Sequence, residues 1–226
     1  VKRNGLADLD FESFAALERH LGEWMVLADD RIHGTTHETP IGRFDREIAL
    51  PPDAILVHTS GSQPLSVLGY ATTPNIGVFY PLQTFSKTKK VEFKDIPVFI
   101  ESASPAADKA LRAMGNSLSK IVIPLNSYER KALHVAAVFA SNFTNHMLLV
   151  AQDIMKEHSL SYDWLKPLIL EMINKSLSIG PENAQTGPAR RGDLEILDKH
   201  VEFLEGNLST AELFRVISQH IIDRYG

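Results

Sequence analysis

Five short runs rich in β-branched and aromatic residues all lie before residue 125, and none follows it: EWMVLAD at 23–29, AILVHTS at 54–60, GVFYP at 77–81, PVFIES at 97–102 and KIVIP at 120–124. Each has the length and composition of a strand. The runs are continuously apolar rather than alternating, which predicts a sheet covered on both faces by helices. Thr39-Pro40 and Ser104-Pro105 each set an N-cap residue before a first-turn proline and predict helices near 40–49 and 105–117. A further helix is expected near 11–20. From Asn126 onward the spacing is helical, with segments near 127–157, 161–178, 193–205 and 210–224 and a capping box of Ser209 and Glu212 before the last. The expected organisation is therefore an α/β domain over 1–125 and an all-α domain over 126–226.

The chain has 226 residues, 44% of them hydrophobic, enough for a packed core. Its formal net charge is −5 and its lysines and arginines are scattered, so no basic field is available for a nucleic-acid backbone. It has no cysteine, hence no disulfide, thiolate metal site or cysteine nucleophile. The most apolar segment, 133–151, is interrupted by His134, Asn142, Asn145 and His146, which argues against a lipid-facing span. These features together predict a cytoplasmic protein with neither nucleic acid nor membrane as partner.

Projected at 100° per residue, the helix KALHVAAVFASNFTNHMLLVAQ carries His134, Asn142 and Asn145 on one side. Ala136, Phe139, Ala140, Phe143, Met147 and Val150 fall on the other, the expected core face. A helix so apolar is expected to be buried on both sides, so its polar groups need partners, either in neighbouring helices or in a ligand. His134, as an acid or base, with Asn142 and Asn145 as substrate hydrogen-bond partners, are the candidate catalytic residues. His134 and His146 do not have metal-ligand spacing, and no metal is expected.

In an open α/β sheet ligands bind beyond the carboxyl ends of the strands. Two such ends are rich in hydrogen-bonding groups: HTSGSQP, with His58, Thr59, Ser60 and Gly61, and YPLQTFSK, with Tyr80 and Gln83. Each loop could hold a ligand or satisfy its own backbone with its hydroxyls. The Gly-x-Ser-x-Gly pattern of serine hydrolases is absent. Asp29, at the end of the first run, could bind a ribose hydroxyl, cap a helix or face water.

The loop AQTGPARRGD at 184–193 has its turn residues in Gly187 and Pro188 and then two adjacent arginines. Thr186, Arg190 and Arg191 are candidates for binding an anionic substrate, because a guanidinium offers a carboxylate or phosphate a bidentate fork. The alternatives are an ion pair with Asp193 or Glu195, and Asp193 as a helix cap.

VLADDRI at 26–32, ILVHTSGS at 55–62, GVFYPLQTFSK at 77–87, LHVAAVFASNFTNHM at 133–147, LKPLILEMINK at 165–175 and AQTGPARRGD carry a resemblance over nearly the whole chain. The sequence resembles the Rossmann-like NAD(P)-dependent oxidoreductase-related family whose C-terminal helical domain is of the 6-phosphogluconate dehydrogenase type, relatives of pyrroline-5-carboxylate reductase. The resemblance implies NADP or NAD bound by the first domain, with Asp29, His58, Thr59, Ser60, Gly61, Tyr80 and Gln83 as the matching contacts. It also implies a homodimer formed through the helices, a site between the domains and a small-molecule substrate. The chain contains no G-x-G-x-x-G, and the first strand, glycine turn and helix that would cradle a pyrophosphate are expected to be missing from it. The implied function is hydride transfer to or from a small carbonyl or imine compound. The alternative is a non-catalytic dimeric ligand-binding or scaffold module that retains the fold.

Overall fold

The computed structural model describes residues 25–28, 50, 51, 53–84 and 91–225. The helices expected near 11–20 and 40–49, and Asp29, lie outside the described residues. The strands are β1 (Met25–Ala28), β2 (Ile55–His58), β3 (Ile76–Pro81), β4 (Val98–Ser102) and β5 (Val122–Pro124), in the spatial order β1-β2-β3-β4-β5. All five expected runs therefore form strands of a Rossmann-like layer. β1, β2 and β3 are parallel; β4 runs antiparallel to β3, and β5 parallel to β4. The apolar runs determine strands but not their directions, and the β3–β4 reversal makes the sheet mixed.

Alternation along the strands separates two faces. Val57, Phe79, Val98 and Ile100 face one way and pack with Leu111 and Met114 of helix α1 (Pro105–Leu118). The α1 boundary follows from its cap: Ser104 accepts a hydrogen bond from the Ala107 N–H at 3.1 Å, with Pro105 in the first turn. Gly77 lets α1 approach closely, since a Cβ there would fall 2.6 Å from Leu111 Cδ1. On the other face the pairings His58↔Val78 and Val78↔Glu101 align three positions in one row, and Tyr80 lies two residues along from Val78.

After β5 the chain is helical throughout. Helix α2 (Ser127–Ala137) opens with a capping box of Asn126 and Glu129, passes through a π turn (Val138–Phe143) and continues as α3 (Thr144–Glu157). By length and composition Ser127–Glu157 could cross a membrane. Its first turns instead contribute Ser127, Arg130 and His134 to protein contacts. There follow α4 (Lys166–Ile179), the single-turn α5 (Pro181–Ala184) and α6 (Pro188–Arg191), then α7 (Leu194–Phe203) and α8 (Leu208–Tyr225). The cap of α8 is Asn207, whose Oδ1 accepts from the Thr210 N–H at 3.1 Å and from the Ser209 hydroxyl at 2.9 Å. This replaces the expected Ser209 box, because the helix begins one residue before Ser209.

The chain divides into two compact units, Val1–Phe143 and Thr144–Gly226. The division falls at the end of the π turn rather than at 125/126, because α2 is tied into the first unit by the side chains described below.

Candidate functional site

The carboxyl end of β2 continues into the His58–Gln63 turn, which largely satisfies itself. The Ser60 N–H donates to His58 Nδ1 at 3.1 Å, and Ser60 Oγ accepts from the N–H groups of Ser62 (3.2 Å) and Gln63 (3.0 Å). His58 and Ser60 are buried, so their side chains organise the loop from within. Since Nδ1 accepts, the His58 proton sits on Nε2, a buried atom without a hydrogen-bond partner among the described residues. Burial first, and then the charge of Arg130, push this imidazole down from 6.5 to about 4. The Pro64 carbonyl acts in the opposite direction but does not reach hydrogen-bond geometry with Nε2.

Gly61, Tyr80 and His134 come together at the end of the parallel strands. The Tyr80 hydroxyl and His134 Nδ1 are 3.1 Å apart, and the two rings meet edge to face with centroids 6.0 Å apart. Gly61 lies against both: a Cβ on it would be 2.5 Å from His134 Nδ1 and 2.8 Å from Tyr80 Cζ. Glycine is therefore required by close approach. Tyr80 and His134 are half-buried, as is Thr59 in the same loop. A phenol hydrogen-bonded to an imidazole can hold or pass a proton at the phenolic oxygen.

Sequence reasoning does not single out Arg130, which organises this region. It is 1% exposed. Its Nε donates to the Ser60 carbonyl at 3.2 Å, Nη2 donates to the Gln63 carbonyl, and Nη1 pairs with the Glu101 carboxylate. Both Glu101 oxygens also accept from Ser127 Oγ at 2.9 Å, and that hydroxyl accepts from the Leu65 N–H at 2.9 Å. The sequence signals were slight: a lone carboxylate closing the apolar run PVFIES, and an arginine directly after the Asn126/Glu129 box.

Other expected positions lie elsewhere. Gln83 is exposed and its Oε1 accepts from the Thr84 N–H at 2.8 Å. Asn142 and Asn145 are exposed, as are Ala136, Phe139, Ala140 and Phe143 of the expected core face, so the anticipated burial of this helix on both sides does not hold for the single chain. The π turn also breaks the 100° period on which the stacking of Asn142 and Asn145 with His134 depended.

In the helical unit, Gly187 (φ 102°) and Gly192 (φ 69°) bracket α6 with backbone conformations that favour glycine. Arg190 lies over the Tyr225 ring, 4.4 Å from its centroid, while the Tyr225 hydroxyl donates to the Glu182 carbonyl at 3.2 Å. Glu195 pairs with Lys199, and Asp193 holds the N-cap position of α7 without a side-chain capping bond. Thr186 and Arg191 are exposed.

The family described as Domain of unknown function (DUF2520) matches residues 96–221. A solved structure of a Bacteroides fragilis protein described as a putative NADP oxidoreductase is 36% identical, with a TM-score of 0.79, covering 88% of this chain and 75% of that one. A Thermotoga maritima protein shares the fold at 19% identity and a TM-score of 0.68, covering 95% of this chain and 87% of the other. No curated protein matches.

Proposed function

The chain belongs to the DUF2520 family of NADP oxidoreductase-like proteins, and from that premise we propose that it is a cytoplasmic NAD(P)-dependent oxidoreductase acting on a small, anionic carbonyl or imine compound. The observation that carries this reading is the Tyr80–His134 pair over Gly61, at the carboxyl ends of β2 and β3. The helical unit is read as the 6-phosphogluconate dehydrogenase type, and pyrroline-5-carboxylate reduction as one candidate reaction.

The residues present fit the nicotinamide end of such a cofactor: Thr59, Tyr80 and His134 are half-buried hydrogen-bonding groups gathered at the ends of the parallel strands. Thr59, Gly61, Tyr80 and Gln83 would hold it, with His58 and Ser60 fixing the loop from inside. When bound, the cofactor supplies or accepts the hydride. Tyr80 gives the substrate oxygen or nitrogen its proton, and His134, donating from Nδ1–H to the phenolic oxygen, stabilises the phenolate left behind. Asn142 and Asn145 are read as substrate contacts, and Thr186, Arg190 and Arg191 as the anion-binding group, with the Arg190 guanidinium held in place by Tyr225.

The protein is further read as a homodimer formed through its helices. None of the residues of α4 is buried, and Leu168, Leu170 and Leu177 are 65%, 64% and 82% exposed. Such a surface calls for a covering partner. A fluorescence titration with NADPH and NADH, followed by turnover on a panel of small keto and imino acids, tests the proposal. Binding and turnover that fall in Tyr80→Phe and His134→Gln support it; unaltered turnover in both variants, or no binding by the wild type, overturns it.

A further inference from the structure

We infer that Arg130 is the positioning residue of the site: its guanidinium holds the 60–63 loop at the distance from α2 that allows the Tyr80–His134 hydrogen bond. The inference rests on the reading of that pair as the reactive one. Arg130 and His134 are four residues apart on α2, and so neighbours on one helical face. The two carbonyls that Arg130 binds, Ser60 and Gln63, lie on either side of Gly61, the residue in contact with His134. One helical turn therefore clamps the loop while the next presses against its centre. There is no slack in that contact, so displacement of the loop passes directly to the His134 ring and to its bond with Tyr80. Glu101, two strands from His58 and in its row, sets the angle of the guanidinium from the third side.

The fork geometry matters more than the charge. A lysine at 130 would carry the same charge into the same interior, but one ammonium cannot reach Glu101 and both carbonyls along the fixed directions of a guanidinium. Ser127 offers the contrast, because its hydroxyl ties Glu101 to the Leu65 N–H and not to the Ser60 or Gln63 carbonyls that Arg130 binds. Its loss should loosen the network without moving Gly61.

The experiment is ¹⁵N NMR of the His134 ring in the whole protein, with stability followed by urea unfolding. In the wild type and in Ser127→Ala, Nδ1 should show the hydrogen-bonded state shared with Tyr80. In folded Arg130→Lys that state should collapse to the averaged signal of an exchanging imidazole. Glu101→Gln, which retains a hydrogen-bond acceptor, should move the signal in the same direction by less, and decides the matter if Arg130→Lys does not fold. A His134 signal unmoved in the folded variants overturns the inference, as does collapse in Ser127→Ala of the same extent as in Arg130→Lys. No turnover is needed, so failure of the oxidoreductase reading, seen as no binding of NADPH or NADH by the wild type, is distinguishable from failure of the positioning role.

Discussion

Gly61 lies so close to His134 that a methyl group on the glycine would stand 2.5 Å from the imidazole Nδ1. The same nitrogen lies 3.1 Å from the Tyr80 hydroxyl, so one contact governs both the packing of the loop and the geometry of the pair.

Gly61→Ala should accordingly destabilise the protein by about 1–3 kcal/mol, the usual cost of overpacking a tight interior. The neighbouring atoms belong to two rings, one of them rooted in a strand, and neither can yield without breaking the Tyr80–His134 bond. Urea unfolding measures the first effect and the His134 ring resonances the second. A variant as stable as the wild type, with its ring resonances in place, would refute the steric account.

His58 should give the protein an acid limb to its stability. Its pKa is about 4 folded against 6.5 unfolded, so between those values the unfolded chain binds the extra proton. Stability should be unaffected by this residue above about pH 6.5 and fall as the pH drops through 4, by roughly 3 kcal/mol in all. His58→Asn keeps an acceptor for the Ser60 N–H and should flatten that limb. Unfolding midpoints from pH 4 to 7 decide it; an unchanged slope in the variant would show that other groups carry the acid sensitivity.

Leu177→Glu, at an 82% exposed position on α4, should halve the mass of the wild-type particle in light scattering while leaving the fold of the chain intact by circular dichroism. A monomeric wild type would refute the proposed dimer. A dimer that survives the substitution would place its contact away from Leu177.

Asn207→Ala should cost about 1 kcal/mol, the usual value of a helix N-cap, because it leaves the Thr210 N–H without its side-chain acceptor. Ser209→Ala, which removes a hydroxyl that only donates to Asn207, should cost less in the same thermal or urea unfolding series. The reverse order would restore Ser209 as the cap.

The sequence by itself determined the strands, because five continuous apolar runs have no other economical fold, and it determined the start of α1, because Ser104-Pro105 caps a helix wherever it lies. It also pointed to Gly61, Tyr80 and His134 as chemically rich positions, since strand-end loops and an imidazole on an apolar helix stand out locally. Tertiary structure alone decided that these three meet, that β4 runs antiparallel to β3, and that the helix through Asn142 is interrupted by a π turn and exposed. Strand direction and helix exposure depend on what packs against each element, and no window of sequence contains its neighbour. The same holds for Arg130, whose partners Ser60, Gln63 and Glu101 lie 70, 67 and 29 residues away along the chain. A buried guanidinium looks like any other arginine in a sequence until the fold brings its acceptors to it.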